Sequence, residues 1–162
     1  MPERTTGGLF LPDAGALAML EQPRPQSDDL QGEGVRIEAG WASPYFVTDP
    51  STWHAELDRP ALVLLEHPLD SVAALVPLCE HAAAAATPLV LVAPAFTAEV
   101  LALLVVNKLR GILLVNAIAT PRLPELAAQL ELRPWPSPPV ELSSVAGVRR
   151  VVSAADASLF VR

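Results

Sequence analysis

Cysteine is almost missing from this chain of 162 residues, in which Cys79 stands alone. A single cysteine excludes an internal disulfide and any metal cage that needs several thiolates. The chain also lacks an uninterrupted apolar run of about 18 residues, the length that a membrane-spanning helix requires. Its first residues lack the charged and apolar regions of a secretory signal. We therefore expect a cytoplasmic protein without a membrane partner.

Basic residues are scarce as well, with 11 lysines and arginines against 18 acidic residues and a net charge of −7. The arginines are scattered along the chain, and Lys108 is its single lysine. Proteins that follow the phosphates of nucleic acid concentrate basic side chains on one face. The sequence therefore predicts no nucleic-acid partner. Hydrophobic residues make up 51% of the chain, which is enough for one domain with a single core.

The first 33 residues have the composition of an arm or linker rather than of a domain. Gly7, Gly8 and Pro12 flank one of two short apolar patches in this stretch, and further prolines follow. We therefore divide the chain into an arm over residues 1–33 and a domain over residues 34–162.

From residue 61 onward, continuous apolar runs alternate with helical stretches. The runs cover residues 61–65, 89–93 and 112–118, and the helical stretches cover residues 70–86 and 97–110. Runs that are apolar throughout are typical of strands buried on both faces, and helical crossovers make neighbouring strands parallel. The pattern predicts an α/β fold with a parallel βαβαβ core.

Shorter elements are predicted outside this core. Gly111 follows the second helical stretch at a position where a left-handed residue commonly ends a helix. A short helix is predicted over residues 125–130 between several prolines, and the runs 148–153 and 158–161 predict two strands that pair antiparallel.

Both crossover helices lack the wide polar face of an ordinary surface helix. In the first helix, Val72, Val76, Cys79 and Ala83 recur every three or four residues and therefore share one face. In the second helix, apolar side chains point almost all round the axis. Two interpretations stay open. Either the helices lie between the sheet and another layer, or they border an exposed apolar groove that marks an interaction site.

Two segments carry a family resemblance: Trp-Ala-Ser-Pro-Tyr-Phe at residues 41–46 and Leu-Leu-Val-Val-Asn-Lys-Leu-Arg-Gly at residues 103–111. The register between them is unbroken, and residues 41–117 resemble, without a gap, the apical substrate-binding domain of the GroEL-type chaperonin family. Residues 147–152 resemble the closing strand of that domain. The resemblance implies a three-layer β/β/α fold in which two helices border a groove that binds polypeptide.

Matched position by position, the resemblance implies a polypeptide-binding role for Trp41, Ser43, Tyr45, Phe46, Val76, Cys79, Leu101, Val105, Val106 and Asn107. The implied partners are exposed hydrophobic segments of unfolded or partly folded proteins, and the mobile loop of a co-chaperonin. Val76 and Cys79 stand where the family generally has leucine, so the first helix offers a shallower wall.

The chain departs from the family in two respects. It matches no residue of the family's equatorial domain, which holds the ATP site, so the resemblance implies neither a cofactor nor an enzymatic activity. After Ala117 the family's long helix is replaced by a short one, which reduces the face that contacts neighbouring subunits. This departure favours an alternative: a structural or scaffolding protein that reuses the apical fold, its groove filled by a fixed partner or by its own arm.

The arm itself offers a candidate occupant of the groove. Residues 7–12 read Gly-Gly-Leu-Phe-Leu-Pro, with three consecutive apolar residues between flanks that favour turns. Such a segment is a predicted pseudo-substrate, docked in the groove of the same molecule or of a neighbour, and in the second case it provides a contact for self-association.

Catalysis is the weakest alternative. The strand-to-helix loops contain no glycine, so they do not predict a phosphate cradle. Glu66, His67 and Asp70 form the best acid-base cluster, but neighbours on a strand point to opposite faces and no third ligand or nucleophile follows at a suitable spacing. We expect neither catalytic nor metal-binding residues.

Overall fold

A computed structural model describes residues 5–6, 9–10, 30, 32–136, 141, 145 and 147–162. The strands of these residues are β1 (Thr5–Thr6), β2 (Leu9–Phe10), β3 (Val35–Ile37), β4 (Ala55–Asp58), β5 (Ala61–Leu64), β6 (Leu89–Ala93), β7 (Val115–Ala119), β8 (Arg150–Ser153) and β9 (Ser158–Val161). The helices are α1 (Val72–Ala84), α2 (Ala98–Leu109), α3 (Leu123–Leu130) and a 3-10 helix over Pro44–Phe46.

The strands β5, β6 and β7 form a parallel sheet in that order. Every residue of β5 and β6 is buried, as expected for continuous apolar runs. Helix α1 connects β5 to β6, and α2 connects β6 to β7. The predicted α/β class with a parallel βαβαβ unit is therefore confirmed.

Side-chain caps fix the start of both crossover helices. The hydroxyl of Ser71 accepts a hydrogen bond from the backbone N–H of Ala74 at 3.1 Å, and the hydroxyl of Thr97 accepts one from Val100 at 3.3 Å. At the far end of α2, Gly111 adopts φ +72°, the left-handed conformation predicted for a residue that ends a helix.

The remaining strands of the body form an antiparallel sheet in the order β3-β9-β8-β4. The predicted pairing of the last two strands is confirmed, since β8 and β9 are antiparallel neighbours. The strands β3 and β4 were not predicted; they join the sheet through long-range pairs such as Val35 with Phe160 and Leu57 with Val151. The side chains of Phe46, Leu57 and Phe160 are fully buried in the core.

The predicted third strand is wrong at its start, because β7 begins at Val115 and not at residue 112. The backbone N–H groups of Ile112 and Leu113 donate to the carbonyl oxygen of Asn107 at 3.0 and 3.2 Å. These two residues therefore close the last turn of α2 instead of joining the sheet.

The segment over residues 41–46 is only partly extended. Ser43 has extended backbone angles, but the next three residues turn as the 3-10 helix. Pro44 at its first position suits a helix start, and the hydroxyl of Ser43 accepts a hydrogen bond from the backbone N–H of Tyr45 at 3.3 Å.

The described part of the arm contacts the body. Strands β1 and β2 form an antiparallel pair in which Thr5 lies opposite Phe10. The Cα atoms of β2 come within 8 Å of those of α2. Leu30, at the other end of the arm, is buried in a small apolar cluster with Val152, Ala154 and Ala157.

Among the residues that the structure describes, no helix combines the length and the apolar character needed to cross a membrane.

Candidate functional site

Helix α1 divides its apolar side chains between two neighbouring rows. The first row is buried in the hydrophobic core and consists of Leu75, Leu78 and Ala82. The second row lines a cleft and consists of Val76, Cys79 and Ala83. The second row belongs to the apolar face that the sequence indicates for this helix, so the spacing identified the side that faces the cleft.

The opposite wall of the cleft comes from α2 and the turn that follows it. Its side chains are Leu103, Asn107, Ile112 and Leu113, and Glu80 of α1 completes the lining. The cleft has a volume of about 360 Å³. We call it the groove. Apolar side chains dominate both walls, and the polar groups are few, which is the usual make-up of a site that binds apolar ligands.

Ile112 is the most exposed large hydrophobic residue of the described chain, with 52% of its surface accessible, and Leu114 follows with 41%. Ile112 lines the groove, whereas Leu114 lies outside its lining. An isolated exposed apolar side chain is ordinary, but one that continues an apolar cleft extends the surface on which a partner could bind.

The end of α2 holds Ile112 in place. The carbonyl oxygen of Asn107 accepts the backbone N–H groups of Ile112 and Leu113, and the side-chain amide of Asn107 donates to the carbonyl oxygen of Leu103 at 2.7 Å. Asn107 therefore fixes the groove wall through its backbone and its side chain. The resemblance had implied a direct contact between this residue and a bound polypeptide.

Cys79 contributes a neutral, apolar side chain to the groove. Burial, and to a lesser extent the nearby carboxylate of Glu80, raises the pKa of its thiol to about 11. Because a buried protonated thiol behaves as a small hydrophobe, this position is part of the apolar wall and not a reactive nucleophile.

Two aromatic residues among the predicted contacts belong to the core. Phe46 is fully buried, and Trp41 retains only 6% of its exposure. The indole N–H of Trp41 donates to the carbonyl oxygen of Trp53 at 3.0 Å, and the two indole rings lie 6.2 Å apart. These contacts hold Trp41 in the main core cluster, so it supports the fold and is not available at the surface.

The other predicted contact residues occupy three kinds of position: the cap of the 3-10 helix, the core or its edge, and the groove. Ser43 caps the 3-10 helix, and Tyr45 is half-buried. Leu101 and Val105 are half-buried and pack against the core, and Val106 is buried. Of the ten predicted residues, Val76, Cys79 and Asn107 line the groove.

Sequence reasoning omitted several groove residues from the predicted site. They are Glu80, Ala83, Leu103, Ile112 and Leu113. A signal for three of them was present, because Glu80 and Ala83 lie four and seven residues after Val76 and Leu103 lies four residues before Asn107. No sequence pattern marked Ile112, which was assigned to a strand.

Lys108 links helix α2 to the segment that contains the 3-10 helix. Its ammonium group donates to the carbonyl oxygen of Val47 at 2.8 Å, which links the last turn of α2 to the residue after the 3-10 helix. Desolvation by burial lowers the pKa of Lys108 below its ordinary value of 10.5. The bond holds α2 against the segment that carries Tyr45 and Phe46.

The loop that carries the best catalytic candidates of the sequence lines a separate cleft of about 380 Å³, to which His67, Asp70 and Ser71 contribute. His67 and Asp70 are exposed. Within the described residues, no group of three histidine, cysteine or acidic side chains is placed to hold a metal ion. The arrangement offers no ordered acid-base pair on which to build a reaction.

A scan of the chain against protein-family models finds no match.

Proposed function

We propose that this protein is a chaperonin apical-domain-like module that binds exposed hydrophobic segments of unfolded or partly folded proteins in the groove between α1 and α2. One observation carries the proposal: the groove is an open apolar cleft between two helices, and its rim presents Ile112 to solvent. Such a surface favours apolar partners that adapt their shape to it.

The resemblance to GroEL-type apical domains supports the same proposal at the level of the fold. In that interpretation the antiparallel sheet, the parallel sheet and the pair α1 and α2 are the three layers of a β/β/α fold. The groove lies between the two helices that the resemblance designates. The mobile loop of a co-chaperonin is a second proposed ligand, because it offers the same extended apolar chemistry.

Burial of apolar surface provides the binding energy. If a bound segment removed about 500 Å² of apolar surface from water, the gross gain would be roughly 12 kcal/mol at about 25 cal/mol per Å². Lost translational freedom and ordering of the segment offset about half of this or more. The remainder corresponds to binding in roughly the micromolar range. Non-directional contacts make the site tolerant of sequence, and Glu80 and Asn107 at its walls provide the polar contacts to a peptide backbone.

The test compares two exposed residues that differ in their relation to the groove. Ile112→Glu places a carboxylate on the groove wall, and Leu114→Glu places the same charge on a side chain outside the lining. Binding of reduced, carboxymethylated α-lactalbumin, a permanently unfolded chain, is measured by calorimetry. We expect Ile112→Glu to weaken binding by about tenfold or more because the carboxylate must be desolvated against apolar groups. Leu114→Glu should bind as the wild type does.

Circular dichroism melting serves as the control for folding, and both variants should unfold near the wild-type temperature because both positions are exposed. Equal loss of binding in the two variants would show that the groove is not the site. No binding by the wild-type protein would refute the proposed function.

A second candidate function, a scaffold whose groove is permanently filled, is favoured by the position of β2 against α2. The same calorimetry separates the two, since a scaffold with a fixed occupant should ignore unrelated unfolded chains.

A further inference from the structure

The arm lies beside a helix that lines the groove. Strand β2 (Leu9–Phe10) lies with its Cα atoms within 8 Å of those of α2. Helix α2 supplies Leu103 and Asn107 to the groove. An N-terminal segment that is distant in sequence is therefore adjacent to one of the two helices that form the groove.

The chemistry of this segment suits the groove. Strand β2 consists of two large apolar residues, Leu9 and Phe10, and Leu11 follows outside the described residues. Pairing with β1 holds β2 in an extended conformation, with Thr6 opposite Leu9. An extended apolar strand presents alternate side chains to one surface, and it has already lost part of the conformational freedom that a free peptide would lose on binding.

We propose that β2 of this chain's own arm is a displaceable occupant of the groove. There β2 competes with client segments and so weakens their binding. This inference rests on the proposed function. The contact is intramolecular. About two dozen residues separate Phe10 from β3, and a linker of that order holds its ends at an effective concentration on the order of millimolar.

The expected size of the effect follows from competition. A client must bind the fraction of molecules whose groove is open, so its apparent dissociation constant rises by the ratio of docked to open arms. Suppose that the arm segment, as a free peptide, bound the groove with a dissociation constant of about 0.1 mM. At an effective concentration of about 1 mM, the ratio of docked to open arms would then be on the order of ten.

The experiment uses the full chain with both apolar residues of β2 replaced, Leu9→Glu together with Phe10→Glu. Whichever of the two positions faces the groove, its carboxylate cannot be buried against an apolar wall without a large desolvation penalty, so the arm should leave the groove. The matched control is Ser27→Glu, which alters the charge of the arm outside the β1 and β2 pair. Reduced, carboxymethylated α-lactalbumin is titrated into each protein.

We expect the double variant to bind this unfolded chain about tenfold more tightly than the wild type, and Ser27→Glu to match the wild type. Equal affinities for all three proteins would overturn the proposed competition and leave the groove's function standing. The gain should also be the same across about a hundredfold range of protein concentration, because an intramolecular contact does not depend on it. A gain that grows with concentration would assign the occupant to the arm of a second molecule and overturn the intramolecular contact.

A second readout does not require a client. Cys79 is the only cysteine of the chain and lines the groove; its raised pKa makes alkylation by iodoacetamide slow, but the ratio of rates between variants at one alkaline pH reports access to the groove. The double variant should be alkylated severalfold faster than the wild type and than Ser27→Glu. Identical rates would show that the arm does not cover the groove, whatever the outcome of the client titration.

Discussion

The side-chain amide of Asn116 donates a hydrogen bond to the hydroxyl of Ser153 over 2.9 Å, and this bond crosses from β7 of the parallel sheet to β8 of the antiparallel sheet. The hydroxyl of Ser158 lies 2.7 Å from that of Ser153 and donates to the carbonyl oxygen of Ala39, also at 2.7 Å. Since Ser158 uses its proton on Ala39, Ser153 donates to Ser158. The bonds therefore form a single directed chain through the core.

Removing the middle of this chain should destabilise the fold strongly. Ser153→Ala leaves the buried amide of Asn116 without its acceptor, whereas the buried hydroxyl of Ser158 loses a donor but keeps its own bond to the carbonyl oxygen of Ala39. We expect the free energy of unfolding to fall by about 1–3 kcal/mol, because a buried group left unpaired costs about that much. Urea denaturation measures the loss. The exposed Ser51→Ala is the control and should change stability by less than about 0.5 kcal/mol. A loss for Ser153→Ala as small as that of the control would show that the chain of bonds contributes little.

Alkaline pH should weaken the fold through Cys79. Burial first, and then the carboxylate of Glu80, raise the pKa of this thiol from 9.0 to about 11. Below pH 9.0 the thiol is protonated in both states and stability does not depend on it. As pH rises from 9.0 to about 11, the unfolded chain releases this proton while the folded protein retains it, so stability falls.

The fall amounts to roughly 2–3 kcal/mol once the pH exceeds the folded pKa, at about 1.4 kcal/mol per pKa unit. Urea denaturation at a series of pH values measures it. Alkaline pH acts on the rest of the protein as well, so the comparison is with Cys79→Ala, whose stability should decline less steeply by this amount. Parallel curves for the two proteins would contradict the assignment.

Gly40 stands where a side chain has no room. A Cβ atom at this position would overlap the carbonyl oxygen of Ala154, which also accepts the backbone N–H of Trp41. Because backbone atoms form the obstacle, Gly40→Ala should destabilise the protein by about 3 kcal/mol or more. Gly111→Ala is the matched control: its φ of +72° strains an alanine, but among the described residues beyond its chain neighbours no atom comes within 4 Å of the added carbon. It should cost about 1 kcal/mol. Thermal denaturation measures both losses of stability. A larger loss for Gly111→Ala than for Gly40→Ala would contradict this account.

The parallel core could be predicted from the sequence because its signals are local. The runs that became β5 and β6 are apolar throughout, and Ser71 and Thr97 stand where the following helices need caps. The antiparallel sheet is harder, because Val35 meets Phe160 from the other end of the chain and no local pattern records that pairing.

The groove could be predicted in part for the same reason. The spacing of Val76 and Cys79 fixes one wall, whereas the opposite wall depends on how α2 ends. The carbonyl oxygen of Asn107 accepts from Ile112, and this hydrogen bond exposes a residue that the apolar run had assigned to a strand. Trp41 shows the converse, since its partner Trp53 gives it a place in the core that composition alone does not indicate.

The pairing of β3 with β9 also determines how the body responds to force. Val35, the residue at which the arm enters β3, lies opposite Phe160 in β9. The chain therefore enters β3 and leaves β9 at the same end of this strand pair, and these are the two points at which a load is applied. A load that pulls these points apart acts across the strands and meets their hydrogen bonds one at a time. The pair therefore unzips under a small load rather than shearing as a unit. A force applied to the arm would separate β3 from the edge of its sheet. Helices α1 and α2, with the groove between them, would stay packed on the parallel sheet.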